Sequence, residues 1–225
     1  MSHSESVSRV DEETAGKRLA QLTLIEAAWQ HRQAPLHAGD RMLWIGVACH
    51  PDAPPPGAMQ SNFVVGTDGH FSGDARGCVD ALPFANSSVS HVVVQHSHEV
   101  ADDGDELLSQ CTHLLKPAGV LLLFGFHPWS MWQRQIRWKS DMRIQTPQHW
   151  TRSLRALGLE VQRTERIGPA WPGAPGMFDR FGMAFALRAW RTGAAIIPLA
   201  GRLRAQAPRG LSLATRAATP CRRTA

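Results

Sequence analysis

A doubly wound α/β fold, with a mostly parallel sheet and an antiparallel last strand, is what this sequence predicts. Three observations carry that expectation. Residues 91–95 (His-Val-Val-Val-Gln) and 120–126 (Val-Leu-Leu-Leu-Phe-Gly-Phe) are nearly continuous apolar runs of strand length. Between them, residues 102–115 place Leu107, Leu108, Cys111, Leu114 and Leu115 on one face of a helix. Strand, helix and strand in so short a stretch imply a right-handed crossover between parallel neighbours.

The remaining elements follow in chain order. Leu19, Leu22, Leu24, Ile25, Ala28 and Trp29 recur at helical spacing, which predicts a helix over 14–32 that ends before Pro35. Residues 41–46 (Arg-Met-Leu-Trp-Ile-Gly) read as a short buried strand. The next segment, 51–57, holds Pro54, Pro55 and Pro56, which remove backbone donors and forbid a regular helix, so a loop is expected there. Residues 62–66 form a second strand candidate, closed by the turn-prone Thr67-Asp68-Gly69. The span from Gly46 to Leu82 is short for two strands and two helices, so the N-terminal half is expected to be shortened by one helix. After residue 126, residues 147–157 predict a helix stopped by Gly158, and 159–167 a strand. A Pro/Gly-rich loop over 168–176 leads to the last strand, 181–190, whose alternation and long approach suggest antiparallel pairing.

Composition narrows the class. With 43% hydrophobic and 19% charged residues in 225, the chain reads as a globular protein of one domain, expected over 14–200, with a flexible segment over 1–13. No apolar run reaches the roughly 18 residues that a membrane-spanning helix needs. The first residues mix Ser with Glu5, Asp11, Glu12 and Glu13, unlike a secretory or transit peptide, so a cytoplasmic location is expected. Four widely spaced cysteines without a C-x-x-C pair indicate neither a disulfide framework nor a zinc site. The net charge of +5 is concentrated near the end, where Arg202, Arg204, Arg209, Arg216, Arg222 and Arg223 occur with no acid. Residues 201–225 therefore read as a solvated basic tail, with nucleic-acid binding as the lesser alternative.

Residues 81–103, Ala-Leu-Pro-Phe-Ala-Asn-Ser-Ser-Val-Ser-His-Val-Val-Val-Gln-His-Ser-His-Glu-Val-Ala-Asp-Asp, resemble without a gap the LPFxDxSFDVVVxxxxLExxxD stretch of type 11 methyltransferases. Residues 114–126 are similar to that family's LRPGG turn and fifth strand, and 146–160 resemble its C-terminal half more loosely. The resemblance implies a Rossmann-like class I S-adenosylmethionine-dependent methyltransferase fold. It also implies the cofactor S-adenosylmethionine, bound at the carboxyl edge of the sheet, and a methyl acceptor that the sequence does not identify. In the family an acidic residue and G-x-G-x-G close on the cofactor's methionine part; the matching residues here are Trp44, Gly46, Ala48 and His50, so only the first glycine remains. Cofactor binding is accordingly expected to be weak or lost.

On that resemblance the cofactor-binding candidates are Ile45, Gly46, Ala48, Asp68, Asp80, Leu82 and Gln95. Asp68 stands where the family's acid meets the ribose hydroxyls, and Asp80, or Asp74 further back, near the acid that meets the adenine amine; capping of turn amides is the competing task for each. His96, just past the fourth strand of the family pattern, is the candidate catalytic residue, as a base or as a wall facing the methyl group. His91, His96, His98 and Glu99 are not expected to share an ion, because alternate residues at a strand end point apart. Trp129, Trp132 and Trp138, interleaved with Arg134, Arg137, Lys139 and Arg143, follow residue 126 where the family carries its substrate lid. That region, 129–143, suits a flat or anionic substrate or a protein partner, or packs its tryptophans on the sheet. Two functions remain open: a methyltransferase, and a non-catalytic relative that keeps the sheet as a binding scaffold.

Overall fold

The computed structural model describes residues 3–66, 70–78, 82–130, 142–168 and 182–192, with the side chains of residues 3–15 and Arg18 left aside. A long helix α1 (His3–Gln33) leads into strand β1 (Arg41–Gly46), then β2 (Met59–Val65), β3 (His70–Gly73), β4 (Gly77–Cys78) and β5 (Val89–Gln95). A single turn α2 (Ser97–Val100) and helix α3 (Gly104–Leu114) precede β6 (Leu115–Phe126). Helix α4 (Pro147–Ala156), β7 (Leu159–Ile167) and β8 (Ala184–Arg191) complete the fold. The eight strands form one sheet in the order β4-β3-β2-β1-β5-β6-β8-β7. Strands β2, β1, β5 and β6 are parallel, and β8 inserts antiparallel between β6 and β7.

Helices α3 and α4 form where the local chemistry directs them. Asp103 accepts hydrogen bonds from the amides of Asp105 and Glu106, capping α3, whose buried stripe contains Leu107, Leu108, Cys111 and Leu114. Thr146 caps α4 by accepting from the amide of His149, Pro147 opens the first turn, and Gly158 at φ 80° ends it. Both helices pack on one face of the sheet, against Leu43, Ile45, Val92, Val94, Leu121, Leu123, Phe185 and Leu187. The opposite face is covered by α1, whose Leu22 and Trp29 meet Met42, Trp44, Val93, Leu122 and Phe124.

Several expectations need correction. Helix α1 begins at His3 rather than near Thr14, and β6 begins at Leu115, before the expected turn; Ala118 at φ 62° lies inside that irregular start. The N-terminal half is shortened further than by one helix: among the described residues no helix joins β1 to β2 or β2 to β5. The first connection is the proline loop, and the second carries the hairpin strands β3 and β4, which the sequence reading did not foresee. On the buried face of α1, apolar Leu22 and Trp29 alternate with polar Thr23, Glu26 and Gln30, whereas Leu24 is 57% exposed. No helix among the described residues is long and apolar enough to cross a membrane. The basic tail from Gly201 lies outside the described residues.

Candidate functional site at the carboxyl edge of the sheet

The chain leaves β1 towards β2 on one side and returns to β5 on the other, so Gly46 and Gln95 end adjacent parallel strands, paired in register. Open α/β sheets bind ligands in the crevice above such a switch point. Here the crevice is filled by the protein's own side chains. The Trp44 ring is fully buried, and its Nε1–H donates to the Ala48 carbonyl at 2.8 Å, folding residues 45–48 back over the strand end. His50 packs edge-on against Trp44 with ring centroids 4.7 Å apart. The Val47 amide donates to the Gln95 carbonyl at 3.2 Å and is therefore committed within the protein. A Cβ on Gly46 would lie 2.6 Å from Gln95 Oε1 and 2.7 Å from Trp44 Nε1. The glycine is thus needed for close approach by Gln95 and Trp44, in the place where the resemblance puts the cofactor's methionine part. These residues do not fit S-adenosylmethionine in the mode that the resemblance implies.

Beneath this closure lies a charged network with no solvent exposure. His96 Nε2 meets Glu26 Oε1 of α1 at 2.8 Å, and His96 Nδ1 meets Glu99 Oε2 at 2.9 Å. Gln95 Nε2 donates to Glu26 Oε2 at 2.8 Å and to Thr23 Oγ1 at 3.1 Å, while the Phe126 amide donates to Glu99 Oε1 at 2.9 Å. His96 adopts a left-handed backbone, φ 57°, at the corner between β5 and α2, and its ring stacks on Phe126 with centroids 3.8 Å apart. Burial opposes charge on His96, but Glu26 and Glu99 outweigh it and push the imidazole up to about 9. Burial raises Glu99, against the pull of His96. His98, buried against Trp150, is held well below the usual histidine range by burial and by the His96 charge.

The structure places the remaining predicted residues as follows. Ile45 is buried in the core, and its carbonyl accepts from Ser97 Oγ at 3.0 Å. Leu82 packs against the α3 side of the core. Asp74 accepts from the Asn62 amide at 2.8 Å, the turn-capping task weighed for it. Asp68 and Asp80 lie outside the described residues, as do Trp132, Arg134, Arg137, Trp138 and Lys139. Ile45, Gly46, Ala48, Gln95 and His96 are brought together, but around each other rather than around a crevice. Sequence reasoning missed Glu26 and Thr23. A polar residue every third or fourth position inside an apolar helix face was the signal that could have found them.

An open cleft of about 220 Å³ lies further along the same edge, lined by His127, Pro128, Trp129, Thr146, Pro147, Gln148 and Arg166. It sits where β6 and β7 end and α4 begins, and Trp129 is 79% exposed beside it. Burial and the nearby Arg166 charge keep His127 below its ordinary value, so its imidazole is neutral at physiological pH.

Strand order, the antiparallel β8 and the switch point between β1 and β5 define the class I S-adenosylmethionine-dependent methyltransferase fold. Solved structures agree. The chain is similar to one from a complex between the Haloferax volcanii Trm112 methyltransferase activator and a protein named as a methyltransferase, at TM-score 0.57 and 15% identity, covering 81% of this chain and 96% of that one. A SAM-dependent methyltransferase from Aquifex aeolicus aligns at TM-score 0.53 and 11% identity, over 77% and 95% of the two chains. The [4+2]-cyclase SpnF aligns at TM-score 0.54 and 15% identity, over 75% and 80%. No family model and no curated protein sequence matches the chain. At such identities the likeness establishes the fold, and a cyclase among the neighbours is consistent with one fold serving more than one chemistry.

Proposed function

We propose that this protein uses the methyltransferase fold as a binding scaffold and does not transfer a methyl group from S-adenosylmethionine. The observation that supports this reading is the closed end of β1, where Trp44, His50 and Gln95 pack around Gly46 in the place to which the resemblance assigns the cofactor's methionine part. The cleft beside Trp129 is where the scaffold engages its ligand. At about 220 Å³ it falls below the roughly 300–1,000 Å³ of ordinary small-molecule pockets, which suits one inserted side chain of a protein partner better than a nucleoside cofactor. Trp129 and Arg166 fit an aromatic or acidic side chain. The methyltransferase reading is favoured by the fold and by the sequence from Leu82 to Phe126. It requires residues 44–50 to open and the Gln95 side chain to withdraw.

Titration of the full chain with S-adenosylhomocysteine, read by thermal shift and calorimetry, decides between them. A native-state site with a dissociation constant of about 100 μM would add about 1.4 kcal/mol at about 1 mM ligand. The scaffold reading expects no shift and no heat of binding. Saturable stabilisation would overturn it and restore methyl transfer to an acceptor at the same edge.

A further inference from the structure

The loop that closes β1 also brings His50, which packs on Trp44, together with two further metal-ligating side chains. His31 lies on the last turn of α1, and His50 and Asp52 lie in the connection from β1 to β2. One ring nitrogen from each histidine and one Asp52 carboxylate oxygen all lie within 4.8 Å of one another. His31 Nε2 and Asp52 Oδ2 are already 3.2 Å apart, close to the roughly 3.3 Å between two ligands of a tetrahedral ion with bonds near 2.0 Å.

His50 supplies a second, independent sign. Its residue is 8% exposed, yet Nε2 has no hydrogen-bond partner. Its other nitrogen, Nδ1, lies 3.0 Å from the Asp52 carbonyl, to which one tautomer donates, and 3.1 Å from the Asp52 amide, which donates to Nδ1 in the other tautomer. The Nδ1–H tautomer leaves a lone pair on Nε2, the pattern in which a metal-ligating histidine gives its second N–H to a backbone carbonyl, and ion binding would select it over the tautomer that accepts from the Asp52 amide. A buried nitrogen without a partner is otherwise costly, so something is expected to complete it.

We infer that His31, His50 and Asp52 form a site for a divalent transition-metal ion of the zinc class. Two imidazoles and one carboxylate suit zinc, and disfavour calcium and magnesium, which prefer all-oxygen shells. Three protein ligands leave a fourth position for water or for an anionic group of a bound molecule. The partial exposure of His31 and Asp52, 41% and 55%, keeps that position open to solvent. The ion ties the end of α1 to the loop that replaces the glycine-rich turn, and so braces the closure over Trp44.

The test uses untagged full chain stripped with a chelator and titrated with zinc chloride by calorimetry, with cobalt(II) absorption as the geometric readout. One ion per chain at micromolar concentration is expected, with cobalt bands of a four-coordinate site. His31→Gln and Asp52→Asn alter partly exposed side chains, and each should weaken binding about tenfold or more while leaving the circular dichroism spectrum unchanged. His37→Gln, on a histidine outside the cluster, should leave the affinity unchanged. His50→Ala should abolish binding, and a circular dichroism spectrum separates that loss from misfolding. Absence of one-to-one binding, or an affinity that survives His31→Gln and Asp52→Asn together, would overturn the site.

Discussion

At the scale of the residue, His96 is held in a buried ion-pair network. Its place after β5 pointed to a group facing a reacting methyl, but both ring nitrogens are held by carboxylates and no part of it reaches solvent. The sequence could not show this, because Glu26 arrives from a helix seventy positions away. Glu26→Gln leaves the imidazolium with one carboxylate and should destabilise the protein by about 3–5 kcal/mol, the usual effect of breaking a buried ion pair, read from denaturant midpoints. The same network sets the alkaline limb of stability. Between the ordinary value of 6.5 and about 9 the folded chain keeps a proton on His96 that the unfolded chain releases. Stability from His96 is therefore full below pH 6.5 and falls as pH rises towards 9, and Glu26→Gln should flatten that decline. A melting temperature equally steep from pH 6.5 to 9 in both proteins would contradict this account.

Elements differed in how much of them the sequence disclosed. Helices α3 and α4 were legible because cap, apolar stripe and stop signal agree: Asp103 with Leu107 and Leu108, then Thr146, Pro147 and Gly158. Strands β5 and β6 were legible because both faces of their central residues are covered, which leaves the near-continuous apolar runs 92–94 and 120–126 to read. The face of α1 was not legible, since its burial depends on pairing Glu26, Gln95 and Thr23 across the sheet rather than on apolar spacing. Nor was the β3–β4 hairpin, whose short strands carry little alternation. With no helix in the described β1–β2 and β2–β5 connections, α1 covers the sheet on that side together with Val100 and Met142. A chain beginning at Leu36 should consequently lose Leu22, Glu26 and Trp29 and expose Met42, Val93 and Leu122, giving a broad, non-cooperative melt by circular dichroism. A sharp transition at the unchanged temperature would show that the face needs no such cover.

At the scale of the whole molecule, the sheet has a consequence for how the protein is made. Strand β8 is the last described element, yet it lies between β6 and β7, and among the described strands β7 pairs with no other. As the chain leaves the ribosome, β6 emerges with one edge satisfied by β5 and the other bare, and stays so until Arg191 is out. That waiting edge is the apolar run Val120 to Phe126, the kind of segment that recruits other chains when left unpaired. β7 meanwhile is guarded by its own charges, Glu160, Arg163, Glu165 and Arg166. A chain ending at Ile167 should therefore collect in aggregates during synthesis rather than as soluble monomer, measured by sedimentation of a cell-free translation, whereas one ending at Thr192 should stay in the supernatant. Translation speed over the last strand then becomes a determinant of yield, because it sets how long β6 waits for the strand that covers it.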